Sequence, residues 1–155
     1  MIIRREYIKD ACDAARAEGA SVVLTNGCFD IIHAGHVSYL KEAARLGDIL
    51  VVGLNSDASV RRLKGESRPV NSEGDRAKVL DALRPVDIVT IFDEATAQEL
   101  ARIVRPDVYV KGGDYSPENL PEGKTVRELG GKVVILPLIK GKSTTGVIER
   151  IRKDS

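Results

Sequence analysis

His33 and His36 are the only histidines in the chain, and they stand three residues apart. They lie in the run Thr25-Asn26-Gly27-Cys28-Phe29-Asp30-Ile31-Ile32-His33-Ala34-Gly35-His36, which joins an apolar, β-branched stretch to an amphipathic one. At positions i and i+3 of a helix start, two imidazoles point toward one ligand. Each can donate a hydrogen bond to a phosphoryl oxygen, most strongly when negative charge builds in a transition state. Gly27 and Gly35 let the backbone turn tightly and approach that ligand, and a helix N-terminus offers free N–H groups to an anion. Such a pair could also cap the helix or lie on its surface. A metal site is disfavoured, because no Cys or carboxylate set converges with the histidines.

Three further segments offer related chemistry. Arg61-Arg62-Leu63-Lys64-Gly65-Glu66-Ser67-Arg68-Pro69-Val70-Asn71 sets four basic residues around a glycine and a proline. It reads as a solvated charged loop or as a flexible cationic lid over phosphates. Lys111-Gly112-Gly113-Asp114-Tyr115 reads as a glycine turn, with Lys111 available to a phosphate and Asp114 to sugar hydroxyls. Gly141-Lys142-Ser143-Thr144-Thr145 places three hydroxyls at the start of the last helix. There a side-chain cap and an anion site use the same atoms and do not compete.

The elements that must position these residues follow from hydrophobic periodicity. Strands are expected at Ser21–Thr25, Ile49–Leu54, Ile88–Phe92, Val108–Val110 and Val133–Leu136, the second apolar throughout and so covered on both faces. Helices are expected over Arg4–Glu18, from Gly35 to about Leu46, then Asp75–Leu83, Ala95–Val104, Thr125–Leu129 and Thr144–Arg152, with a short one before the cationic loop. Strands alternating with helices imply a doubly wound α/β domain with a mostly parallel sheet of about five strands. Ligands in such folds sit beyond the carboxyl ends of the strands, where strand order reverses. All four candidate segments fall on those loops.

Composition removes several classes of function. The 155 residues suit one domain, divided here into an N-terminal helix over 1–19 and a catalytic core over 20–155. Net charge is +1, with 24 basic against 23 acidic side chains, so neither a nucleic-acid nor an anionic membrane surface is expected. Cys12 and Cys28 are too few for a secreted disulfide scaffold. No signal peptide is evident, no apolar run nears the roughly 20 residues that cross a bilayer, and a cytoplasmic protein is expected.

Gly-x-Phe-Asp-x-x-His-x-Gly-His, as it stands at Gly27–His36, resembles the signature of the cytidylyltransferase-like nucleotidyltransferases. The resemblance extends from about Val22 to Ile151 and implies a Rossmann-like fold. It implies that His33 and His36 contact nucleotide phosphates, with Thr25, Asn26, Gly27, Phe29 and Gly35 forming the nucleotide loop and Asp30 shaping the turn beside the substrate. It makes Lys64 the mobile lysine that neutralises phosphate charge and Arg68 its helper, with Arg62 the alternative to Lys64. Arg76 is either structural or functional. Ser143, Thr144 and Thr145 match the family's Ser-Thr-Thr turn.

Lys111, Gly112, Asp114 and Tyr115, with Pro117-Glu118 beyond, look like the heptose 1-phosphate adenylyltransferases of this family. Glycerol-phosphate members carry an arginine after the proline of the last loop, whereas Pro137 is followed by Leu138-Ile139. The resemblance therefore implies transfer of AMP from ATP, with Mg²⁺, to D-glycero-β-D-manno-heptose 1-phosphate, by a homodimer. The alternative is CTP with glycerol 3-phosphate or another alcohol phosphate.

Overall fold

The computed structural model describes residues 1–155, with seven α-helices and a five-stranded sheet. In chain order the elements are α1 (Arg5–Ala17), β1 (Val22–Gly27), α2 (Ala34–Ala44), β2 (Ile49–Asn55), α3 (Asp57–Lys64), α4 (Glu73–Asp81) and β3 (Ile88–Phe92). There follow α5 (Gln98–Val104), β4 (Val108–Gly112), a 3-10 turn (Pro117–Asn119), α6 (Pro121–Glu128), β5 (Lys132–Leu136) and α7 (Thr144–Lys153). The strand order is β3-β2-β1-β4-β5 and every pairing is parallel, as the alternation of elements requires. Strand order reverses between β1 and β4, so the loops after these two strands flank the crevice expected to bind ligand.

Each face of the sheet is covered, which is why the strands read as continuous apolar runs. On one face Val22, Leu24, Val51 and Tyr109 pack with Ile8 and Cys12 of α1, Leu100 and Val104 of α5 and Val126 of α6. On the other face Val23, Leu50, Val52 and Val110 pack with Leu40 and Ala43 of α2 and Ala77 and Leu80 of α4. Alternate residues of one strand thus serve opposite cores.

Several element boundaries differ from the sequence reading. β1 continues through Asn26 and Gly27, which pair with Gly53 and Leu54. β4 likewise continues through Lys111 and Gly112, paired with Ile135 and Leu136, so only Gly113, at φ 123°, turns the chain. Parallel neighbours supply ladder partners that local glycine content conceals. Arg61 to Lys64 form the last turn of α3 instead of the start of a loop, because Ser56 caps that helix through Ser59 N–H. α6 begins at Pro121, four residues before Thr125, since proline suits a first helical turn. α5 begins only at Gln98. Met1 to Ile3 precede α1 and run beside β3, with Ile3 N–H donating to Val89 O at 2.9 Å.

Candidate active site

The carboxyl ends of β1, β2, β4 and β5 open into one cleft of about 790 Å³. Its wall holds His33, His36, Lys64, Arg68, Lys111, Tyr115 and Ser143 to Thr145, so all four segments singled out in the sequence meet there. Thr25, Asp114, Arg61 and Arg62 do not line it.

The histidine loop is built so that both imidazoles are fixed. Phe29 takes φ 45°, a left-handed conformation that reverses the chain after β1 while its ring is buried. His33 is the N-cap of α2, and its Nδ1 accepts from Gly35 N–H at 3.1 Å. His36 Nδ1 accepts from His33 N–H at 3.2 Å. The rings stack at 3.8 Å between centroids, and Phe29 lies 5.3 Å from His36. A Cβ on Gly35 would come within 2.8 Å of the His33 ring, so that position requires glycine. Because each Nδ1 is an acceptor, each neutral ring carries its proton on Nε2, a donor with no partner in the protein, on residues that line the cleft. Each histidine thus makes its hydrogen bond at the helix start with Nδ1 and keeps Nε2 without a partner in the protein.

Burial pushes the His36 pKa down to about 4, helped by the neighbouring His33. Burial also lowers His33, with Lys142 adding to the effect. The unfolded chain, with imidazoles near pKa 6.5, binds more protons than the folded one between about pH 6.5 and 4. Stability is therefore expected to be full above about pH 6.5 and to fall as pH drops toward 4. Urea unfolding at pH 7.5, 6.0 and 5.0 measures this, and His36→Gln should flatten the slope; an unchanged slope would refute the assignment.

Asp30 is committed to the protein. Its carboxylate accepts from Val70 N–H at 2.8 Å, Asn71 N–H at 2.9 Å and Arg68 Nε at 2.9 Å. Burial alone would raise this carboxyl, but the hydrogen bonds from Asn71 and Val70 and the Arg68 charge hold it below its usual value. Asp30, expected to meet the substrate, lines the cleft and also staples the cationic loop to the histidine loop. Arg76 completes the staple from within. It is 2% exposed, and it donates to Cys28 O at 2.7 Å, Asn55 O at 2.8 Å and Asn71 O at 3.0 Å while pairing with Asp57 at 2.9 Å. Of the two roles open for Arg76, the structure supports the structural one.

The cations sort themselves. Arg62 donates to Asp93 O, away from the cleft, whereas exposed Lys64 ends α3 at its rim. Arg68 lines the cleft but is already paired with Asp30. Lys111 Nζ lies 5.7 Å from the Tyr115 ring centroid, a cation–π distance. Asp114, expected to meet the sugar hydroxyls, is exposed and is not among the residues that line the cleft. Ser143 caps α7 through Gly146 N–H at 2.9 Å. Thr144 donates to Ile31 O at 3.1 Å, joining the last loop to the histidine loop. Thr25 is buried, bonded to Tyr39 OH at 2.6 Å and Val110 O at 2.9 Å, so it supports the site from beneath. Burial pushes the Cys28 thiol up, which keeps it protonated.

The sequence reading missed Tyr39, Asn55, Glu122, Leu138, Ile139 and Lys142 as lining residues. Tyr39 was recoverable, since it follows His36 by three residues on the same helix face. Glu122 was not, because nothing local ties α6 to the cleft.

The profile of the cytidylyltransferase-like family matches residues 24–150. The bifunctional protein HldE of Syntrophotalea carbinolica is 54% identical over 147 residues, covering 95% of this chain and 30% of that protein. Its namesake in Proteus mirabilis is 53% identical over 152 residues, covering 98% and 32%. The chain therefore spans about a third of the length of these curated relatives. The crystal structure of a lipopolysaccharide core biosynthesis protein from Thermoplasma volcanium matches with a TM-score of 0.65 at 32% identity, covering 80% of this chain and 100% of that one. A pantoate–β-alanine ligase from Francisella tularensis, at 13% identity and TM-score 0.62 over 99% of this chain and 77% of its own, shares the fold. With the histidine signature, the cationic rim and the Ser-Thr-Thr turn gathered at one cleft, and the profile spanning all three, the chain belongs to the cytidylyltransferase-like family of nucleotidyltransferases.

Proposed function

We propose that the chain transfers AMP from ATP to D-glycero-β-D-manno-heptose 1-phosphate, giving ADP-heptose and pyrophosphate. The observation that carries the reading is the pair of Nε2 donors, fixed by backbone N–H groups, in one cleft with Lys64 and the α7 N-terminus. Such an arrangement suits a polyphosphate. The sugar is supported by Lys111 and Tyr115 in the same cleft, by the relatives named HldE and by the structural relative named for lipopolysaccharide core biosynthesis.

In this mechanism an oxygen of the sugar phosphate attacks the α-phosphorus in line. The new P–O bond forms as the α–β bridge breaks, and the bridging electron pair leaves with pyrophosphate. The attacking group is already ionised, so no side chain need remove a proton. Catalysis reduces to positioning and charge stabilisation. His33 and His36 donate to the α- and β-phosphate oxygens, Lys64 neutralises the developing charge, and Ser143 to Thr145 anchor the phosphates. Asn26, Gly27, Phe29 and Gly35 shape the nucleotide loop, and Lys111, Gly112 and Tyr115, with Arg68, face the acceptor.

Imidazole N–H groups, lysines and hydroxyls are partners for phosphate oxygens and not for a hard cation, and no group of three His, Cys, Asp or Glu side chains is poised for a metal. Mg²⁺ therefore fits as a companion held chiefly by the triphosphate, where it would offset phosphate charge. We assign the chain to the cytoplasm as a single transferase domain within a homodimer; no helix is long and apolar enough to cross a membrane.

Pyrophosphate release with ATP or CTP, each offered heptose 1-phosphate, other sugar 1-phosphates and glycerol 3-phosphate, tests the reading. Release confined to ATP with heptose 1-phosphate is the expected result. Release with CTP and glycerol 3-phosphate would overturn the substrate assignment.

A further inference from the structure

One carboxylate in the cleft wall has no place in the phosphate chemistry. Glu122, the second residue of α6, is 5% exposed and lines the same cleft as Asn26, Asn55 and Tyr115. Its Oε1 accepts from Ala97 N–H at 3.1 Å, tying α6 to the start of α5. Its other oxygen has no donor in the protein, and Glu122 takes part in no ion pair. The only enclosed side-chain polar atom without a partner is Thr90 Oγ1, so the free oxygen of Glu122 is not enclosed, and the residue lines the cleft. A carboxylate this buried and unpaired is costly unless a ligand supplies donors.

A phosphate cannot be that ligand, because its charge has the same sign. The phosphate side of the cleft is built on α2, which packs on the sheet face of Val23, Val52 and Val110. Glu122 arrives from α6, on the opposite face, with Val126 against Leu24 and Tyr109. Two other polar residues of the cleft wall offer complementary groups. Asn26 spends its Oδ1 on Tyr109 OH and keeps its amide N–H groups. Asn55 spends its amide nitrogen on Ser59 Oγ at 3.0 Å and keeps its carbonyl oxygen. An anionic acceptor, a neutral donor and a neutral acceptor in the wall of one cleft suit the hydroxyls of an uncharged polyol.

From this placement we infer that Glu122 is a specificity-determining residue, accepting hydrogen bonds from the sugar hydroxyls of the acceptor, at the end remote from its phosphate. The inference rests on the sugar-phosphate reading above and names a recognition element for it. Sites that hydrogen-bond a substrate hydroxyl reject analogues that lack it, because their own polar groups are then left unpaired.

The test is Glu122→Gln, which keeps the size and the acceptor for Ala97 N–H but sets an amide where the free oxygen stood. KM for the sugar 1-phosphate should rise about 10-fold or more, while KM for ATP stays within about twofold. Discrimination between heptose 1-phosphate and an analogue lacking one hydroxyl should shrink in parallel. Glu122→Asp, which keeps the charge but draws it back by one methylene, should show the same split in smaller measure and serves should the glutamine variant fail to fold. Wild-type protein inactive with every sugar 1-phosphate would remove the sugar-phosphate reading, and this inference with it. An active wild type whose variants keep the same sugar KM would overturn the inference alone. A rise confined to the KM for ATP would also overturn it, placing the carboxylate on the nucleotide ribose.

Discussion

His36→Ala is expected to lower kcat for pyrophosphate release by a hundredfold or more, about 2.7 kcal/mol of transition-state stabilisation. The expectation rests on which nitrogen is free. His36 Nδ1 accepts from His33 N–H, which favours the tautomer with the proton on Nε2 and leaves that donor free of partners in the protein. A donor already oriented costs no reorganisation when charge develops, which gives it its effect. Burial keeps the ring neutral, with a pKa of about 4, so it acts near neutrality as a hydrogen-bond donor and not as a fixed cation. KM for ATP should change less than kcat, because the bond is strongest to the charge that appears in the transition state. Steady-state kinetics of the alanine variant decide the matter. Turnover within about threefold of the wild type would remove His36 from the chemistry.

Arg76→Met is expected to cost the fold about 3–5 kcal/mol, the usual penalty for removing one partner of a buried, hydrogen-bonded ion pair. The guanidinium serves four groups from three segments: Cys28 O, Asn55 O, Asn71 O and the Asp57 carboxylate. Methionine fills similar volume yet leaves three carbonyl oxygens and one carboxylate without their donor. Lysine would not rescue the arrangement, since a point ammonium cannot reach groups spread around a planar fork. Equilibrium unfolding in urea measures the loss, and a change under about 1 kcal/mol would mean that water satisfies these groups instead. Activity should suffer as well, because Arg76 and Asp30 together hold the segment Arg68–Asn71 against the histidine loop.

These two residues divide the labour of the site. His36 faces the cleft, and its effect is read in kcat. Arg76 lies beneath the cleft, and its effect is read first in stability. The loops they connect come from different parts of the chain, and buried polar bonds with defined directions join them. Thr144 does the same for the last loop through Ile31 O.

Read alone, the sequence was enough for the alternation of strands and helices, the parallel sheet, the four segments that line the cleft and the pairing of His33 with His36. Each of these follows from local periodicity, from glycine placement, or from residues a few positions apart, which one element brings together whatever the rest of the chain does. Only the tertiary structure decided the long-range assignments. Asp30 was legible as a loop carboxylate, yet its partners lie some forty residues on, at Val70 and Asn71. Arg62 and Lys64 are two residues apart in a basic run, and the direction of their helix alone separates the one that meets Asp93 O from the one at the cleft rim. Glu122 had no signal, since its role depends on α6 meeting both α5 and the end of β4. Hydrophobic periodicity records which face of an element is buried; it carries no record of which distant loop that face will meet, and polar groups acquire their partners only when the sheet order brings those loops together.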